Sequence, residues 1–213
     1  MAARDYGQYS GITRAMELVG ERWALLIVRD LLVGPRRYGE LAAGLPRIPS
    51  NILAARLKEL QAAGIIRRAP RSRVIVYELT PYGRELEPVV LALGAWGFKA
   101  MGDPREEQLI TPDSMTMDLR SAFRPEVAAA LPATAYAARF GSAELLIRVD
   151  GSALDVSPGD GPADLAFATG PGIRRLISGD LAPDRAIETG VVQVLRGHGN
   201  LLDRFASTFH LAA

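Results

Sequence analysis

The sequence predicts an α+β protein of two units. The first is mostly helical with a two-stranded hairpin, and the second carries an antiparallel sheet covered by helices. Three features predict this. Apolar residues recur at helical spacing through most of the first hundred positions, interrupted by two β-branched runs. The composition shifts near residue 102, where Gly102–Asp113 holds two prolines and four acids. Beyond it, short strand-like runs alternate with Gly- and Pro-rich turns before the helical period returns. The expected division is a first unit over 1–101, a linker over 102–113 and a second unit over 114–213, each unit an ordinary domain size.

In the first unit, Ile12, Ala15, Met16 and Val19 mark a helix that Gly20 ends. Trp23 to Val33 is nearly all apolar and suits a buried helix stopped by Gly34-Pro35. Tyr38 to Leu45 is a short helix closed by Pro46. Pro49 opens the next as a first-turn proline, with Ile52, Leu53, Leu57 and Leu60 inward and Gly64 past its end. Ile65–Arg68 and Val74–Leu79 read as strands joined by a tip over Ala69–Arg73. Thr80-Pro81 starts a last helix running to about Met101, with Leu86, Val89, Val90, Leu93 and Trp96 inward. The short third helix, turn and fourth helix match a helix-turn-helix, and the hairpin supplies a wing.

Charge points the same way. The chain of 213 residues has a net charge of only +1, but residues 1–101 carry 15 Lys and Arg against nine Asp and Glu, a net of +6. The remainder nets −5. A basic excess confined to one half fits a polyanion partner. In the fourth helix, Ser50, Asn51 and Ala54 point outward in the first turns, followed by Arg56 and Lys58. That part of a recognition helix meets base edges, and Asn can satisfy both hydrogen bonds that adenine offers. Arg36 and Arg37 precede the third helix, and Arg71 and Arg73 sit at the hairpin tip, where each would meet phosphate. The expected DNA-binding set is therefore Arg36, Arg37, Ser50, Asn51, Ala54, Arg56, Arg71 and Arg73.

Several separated blocks, in order and spacing, carry a family resemblance over roughly residues 8–101. They are Gly20-Glu21-Arg22-Trp23, Gly34-Pro35-Arg36-Arg37-Tyr38, Arg56-Leu57, Leu79-Thr80-Pro81-Tyr82-Gly83 and Trp96-Gly97. With them the chain resembles the HxlR-type regulators, relatives of the MarR winged-helix group. The resemblance implies a homodimeric transcription factor on an inverted repeat, with dimer contacts from the first and last helices. Trp23 and Trp96 would then be packing residues. Many members carry a cysteine near the first helix; Ser10 occupies that place here, and the chain has no cysteine at all. Thiol-based sensing and disulfides are thereby excluded.

In the second unit, Tyr136–Phe140, Glu144–Val149 and Ser152–Val156 read as strands, with Asp150-Gly151 as a tight turn. Pro158–Pro162 turns into a strand over Asp164–Ala168. Helices follow over Pro171–Ser178 and Pro183–Glu188, then a strand over Val191–Leu195. Asn200 caps a final helix with Leu201, Leu202, Phe205 and Phe209 on its apolar side. Phe123-Arg-Pro-Glu126, the strands from Ala135 and Leu145, and the run from Asp164 to Phe205 resemble a sterol-carrier-protein-type domain. That resemblance implies a lipophilic effector pocket, with Phe140, Leu146, Phe167, Leu176, Phe205 and Phe209 as lining. The same spacings also fit a plain core.

Other chemistries find little support. No apolar run approaches the roughly 18 residues of a membrane span, and the N-terminus lacks the apolar stretch of a signal peptide, so a cytoplasmic protein is expected. Two histidines are too few for a histidine-built metal site. Ser207 and His210 lie three apart with no positioned acid. Asp150, Asp155, Asp160 and Asp164 miss the calcium-loop spacing, and Gly170-Pro171-Gly172 lacks the lysine of a phosphate loop. The expectation is a non-enzymatic regulator without cofactor: a homodimeric repressor on double-stranded DNA, modulated by an apolar small molecule at the C-terminal unit. The alternative is a lipid-binding protein whose helix-turn-helix serves dimer assembly.

Overall fold

The computed structural model describes residues 5–102, 105 and 107–212. Residues 1–4, and 103, 104 and 106 of the expected linker, lie outside these. The chain divides into two compact units, Met1–Val90 and Leu91–Ala213. The division falls inside a helix rather than at the compositional shift near residue 102.

The first unit opens with α1 (Gly11–Val19), α2 (Ala24–Val33), α3 (Tyr38–Gly44) and α4 (Ser50–Ala62). Its core is Ile27, Val28, Leu31, Leu41, Leu53, Leu57 and Leu60, each 2% exposed or less. Pro49 caps α4 from outside the helix rather than filling its first turn. Gly64 follows at φ +70, the left-handed conformation that closes a helix and that glycine adopts without strain. The wing is β1 (Ile66–Arg71) against β2 (Val74–Leu79), joined by Ser72 and Arg73. It is longer than the sequence predicts, and Ala69-Pro70-Arg71 belongs to the first strand. Arg36 extends it: its N–H donates to the Tyr77 carbonyl at 3.0 Å and its carbonyl accepts from the Tyr77 N–H at 2.7 Å.

Thr80 locks the wing to the helical turn beyond it. Its hydroxyl donates to the Gly64 carbonyl at 2.6 Å and accepts from the Gly83 N–H at 3.0 Å. Gly83 packs so closely that a Cβ there would stand 2.1 Å from the Ile65 carbonyl oxygen. The predicted single helix from Pro81 to about Met101 is instead two, α5 (Pro81–Arg84) and α6 (Glu87–Phe98). Pro88 explains the break, because a proline has no N–H to donate to the preceding turn and is accommodated in the first turn of a new helix.

The inward assignments on α6 are corrected, and apolar residues of α1 are exposed as well. Ile12 is 79% exposed and Trp96 73%, and Met16, Val89 and Leu93 are also exposed. Only Thr13 and Val19 of α1 are buried, and only Phe98 of α6.

The second unit adds α7 (Pro112–Ala122), α8 (Pro125–Ala128), β3 (Thr134–Phe140), β4 (Ala143–Asp150), β5 (Ala153–Pro158), β6 (Leu165–Thr169), α9 (Ile173–Ile177), α10 (Pro183–Glu188), β7 (Val192–Gly197) and α11 (Leu201–Thr208). The sheet order is β5-β4-β3-β6-β7. It is mixed rather than wholly antiparallel, because β3 and β6 run parallel. The loop after β5 crosses the sheet to reach β6. It is held by the Gly159 N–H on the Glu144 carbonyl at 2.8 Å and the Asp164 N–H on the Ala135 carbonyl at 2.9 Å. The helices contribute Met115, Leu119, Ala128, Ile173, Leu176, Ile177, Ala186 and Leu202 to the core on one sheet face. Helix α7 is not among the elements that the sequence predicts. Thr111 and Ser114 form a reciprocal cap at its start, with Pro112 in its first turn. Among the described residues no helix is long and apolar enough to cross a membrane.

Burial pushes the Tyr136 hydroxyl of β3 up to about 12, against a hydrogen-bonding contribution from the Thr134 hydroxyl, as donor, that lowers it. An unfolded chain releases that proton near its ordinary value of about 10, so the folded state is favoured below that value and loses this contribution as pH rises toward 12. Stability to urea should therefore fall between about pH 10 and about pH 12, and Tyr136→Phe should lessen the loss by up to about 2 kcal/mol. Equal pH dependence in the two proteins would refute this account.

Candidate functional site

The rotation of α4 decides what the first unit presents. Leu53, Leu57 and Leu60 are buried, and the stripe opposite is Ser50, Asn51, Ala54, Lys58 and Gln61, all exposed. Ser50 and Asn51 carry polar side chains at the helix start, where backbone N–H groups also lack intrahelical acceptors. The Tyr38 hydroxyl donates to the Ser50 carbonyl at 2.9 Å and ties α3 to that start.

Arg56 does not belong to this stripe. Its side chain is 9% exposed, and its guanidinium pairs with Glu21 at 3.2 Å and with Glu59. It joins α4 to the turn between α1 and α2, and it cannot reach a ligand without leaving two carboxylates behind. The expected DNA-contacting role of Arg56 is replaced by a structural one.

Arg37 is exposed at the start of α3, where its N–H donates to the Glu40 carboxylate at 2.6 Å. Arg36 is half-buried, and its guanidinium turns back to the Pro35 carbonyl at 3.1 Å. Its backbone, more than its charge, is committed to the wing. Arg73 is exposed in the wing turn. Arg71 is exposed too, but it and Arg67 both grip the nearly buried Glu78, at 2.9 and 2.7 Å. The Arg71 and Arg67 hydrogen bonds hold the Glu78 carboxyl below its usual range, so the clamp stays charged at neutral pH.

A groove of about 450 Å³ runs between α4 and the wing, lined by Tyr38, Ala54, Lys58, Gln61, Arg68 and Tyr77 among others. It joins the outward stripe to Arg68, a residue absent from the expected DNA-binding set. Strand alternation could have found it, because Arg68 pairs with Tyr77 across the hairpin on the face opposite Glu78. The arrangement offers amide and hydroxyl groups along a helix with cations on either side. It suits a polyanion with readable edges, and no metal-binding cluster occurs among the described residues.

The six residues expected to line a pocket in the second unit sit elsewhere. Phe140, Phe167, Phe205 and Phe209 are fully buried, with ring centroids 6.1 Å apart for Phe140–Phe167, 5.2 Å for Phe167–Phe205 and 4.7 Å for Phe205–Phe209. Leu176 joins them in one close-packed core. Leu146 points to the other face of the sheet, under the crossing loop, where a Cβ on Gly161 would stand 2.9 Å from its Cδ2. The six are not brought together, and five of them fill space rather than enclose it. Ser207 and Asp164 are engaged as well: the Ser207 hydroxyl donates to the Asp203 carbonyl at 2.7 Å, and the Asp164 carboxylate accepts from the Ala135 N–H at 2.8 Å.

A family model of HxlR-like helix-turn-helix proteins matches residues 18–104. An uncharacterised HTH-type transcriptional regulator of Mycobacterium bovis is 42% identical over 96 residues, which is 44% of this chain and 60% of that protein. The HTH-type transcriptional regulator YvaP of Bacillus subtilis, also uncharacterised, is 37% identical over 86 residues, 39% of this chain and 80% of its own. A regulator of the same type from Synechocystis is 34% identical over 96 residues, 44% of this chain and 71% of that protein. The chain thus spans 60% of the length of the mycobacterial relative.

Removing the inward arginine should expose its role. Arg56→Ala removes a nearly buried guanidinium that pairs with the partly exposed Glu21 and Glu59, and should cost about 1–3 kcal/mol of stability. Lys58→Ala, on the outward stripe, should change stability by less than about 0.5 kcal/mol. Chemical denaturation of the two variants checks this, and equal stabilities would contradict the assignment.

Proposed function

Because the chain belongs to the HxlR-like helix-turn-helix family, we propose that it is a transcriptional regulator that binds double-stranded DNA through α4 and the wing. The observation that carries this reading is the outward stripe of α4, continuous through one groove with Arg68 of the wing. Asn51 and Ser50 lie where a recognition helix meets base edges, and Ala54 is small enough to approach a thymine methyl. Arg37, Arg73, Arg68 and Lys58 would meet phosphates, with Arg71 contributing from its clamp on Glu78. Arg36 acts through the wing it extends.

The working form is a homodimer. Tyr9, Ile12 and Met16 at α1, and Val89, Leu93 and Trp96 on α6, leave apolar surface in water. Surfaces of this kind mark association sites, and two copies related by a two-fold axis would read an inverted repeat. Repression follows if the operator overlaps a promoter. The C-terminal unit supplies modulation by a lipophilic small molecule, in keeping with its resemblance to sterol-carrier-type domains. Any signal enters without a thiol, because the chain has no cysteine.

Three measurements test this reading. Affinity for duplex DNA should fall with salt at a log–log slope of about −5 to −7, as expected if the two protomers together neutralise six to eight phosphates; no retention at low salt would sink the proposal. On a selected operator, Asn51→Ala should cost about 1–3 kcal/mol and relax preference at one position per half-site, whereas Arg73→Ala should weaken all sequences alike. The reverse pattern would overturn these roles. Trp96→Asp should shift sedimentation from dimer to monomer at micromolar concentration, and an unmodified chain that sediments as a monomer would contradict the dimer.

A further inference from the structure

The second unit holds a cleft that none of the six expected lining residues touches. Its volume is about 630 Å³, within the range of small-molecule sites. Its floor is made by Phe98, Met115, Ile173 and Ile177, each 7% exposed or less. Those residues come from the end of α6, from α7 and from α9; they belong to the same core as Phe205, which does not itself line the cleft. Arg174 of α9 stands on the rim, half-buried. Among the described residues no carboxylate or carbonyl engages its guanidinium. Arg175, its neighbour, is exposed and does not line the cleft. Asp118 of α7 and the exposed Arg105 border the same opening.

We propose that this cleft binds a small amphipathic monoanion, with its apolar body on Phe98, Met115, Ile173 and Ile177 and its carboxylate on Arg174. The chemistry follows from the two parts. An apolar floor holds a hydrocarbon or aryl body by removing it from water. A half-buried arginine without a partner gains more from a carboxylate than a fully solvated one does, and its fork of donors matches two oxygens. This inference deepens the effector part of the proposed function and rests on that reading only for its regulatory consequence.

The test is calorimetric titration of the full chain with decanoate and with its neutral counterpart decanol. Decanoate should bind the unmodified protein more tightly than decanol does. Arg174→Gln should weaken decanoate about ten- to hundredfold and leave decanol unchanged, while Arg175→Gln, with the same loss of charge, should change decanoate by less than about threefold. Three results overturn the site: no decanoate binding, decanol bound as tightly as decanoate, or equal losses in the two arginine variants. Retention of duplex DNA is measured on the same samples. Protein that retains DNA and fails with decanoate removes this site alone, whereas protein that binds decanoate through Arg174 and retains no DNA keeps the site and removes the DNA reading.

Discussion

The functional surface of the first unit depends on how α4 is turned. Its leucines at 53, 57 and 60 face the core, and Arg56, on the same side, is fixed by Glu21 and Glu59. The apolar contacts alone would tolerate a modest rotation of the helix, because close-packed leucines have neighbours over a wide arc. The ion pair from Arg56 to Glu21, in the turn between α1 and α2, restricts that rotation, since turning the helix would pull a nearly buried guanidinium from its carboxylate. The outward stripe from Ser50 to Gln61 is the consequence. Arg56, one of the residues that the sequence offers as a DNA contact, is thus the one that keeps the others pointing outward.

The wing is held by a similarly small set of contacts. Arg36 adds a short third strand through Tyr77, Thr80 ties the far end to Gly64, and Glu78 gathers Arg67 and Arg71. Backbone pairing leaves Arg68 and Arg73 as the wing charges without such a clamp. This distinction was not legible in the sequence, where Arg67, Arg68, Arg71 and Arg73 are one basic cluster. It emerges from the hairpin register, which puts Arg67 opposite Glu78 and Arg68 opposite Tyr77.

Legibility varied with the kind of signal. The order of elements in the first unit was readable because glycine and proline punctuate it, and the strands of the second unit because they alternate. Helix α7 is hidden, because its cap Thr111 and first-turn Pro112 sit inside a stretch whose acids and prolines read as a linker, with Ser114 just beyond it. The parallel pairing of β3 and β6 depends on a crossing loop, which no local pattern encodes. Exposure was the hardest property to foresee. The periodicity of Ile12 and Met16, and of Val89, Leu93 and Trp96, marks an apolar face without saying whether this chain or another covers it. In the second unit the apolar aromatics at 140, 167, 205 and 209 suggest a pocket and are instead packed on one another. The cleft brings together the end of α6, which the sequence places before the linker, with α7, which it does not predict, and α9 of the second unit.

The central claim is that the outward stripe of α4 meets DNA, and the absence of cysteine allows a direct test. A single cysteine can be introduced as Ala54→Cys on the stripe and, separately, as Ala92→Cys on an exposed position of α6. Each protein is mixed with duplex DNA carrying thiol-tethered bases in the major groove, and disulfide-linked protein–DNA adducts are measured under mild redox exchange. Capture by the cysteine at position 54, and none above background at position 92, is the predicted result. Equal capture at the two positions, or none at 54 from a protein that still retains the duplex, would contradict it.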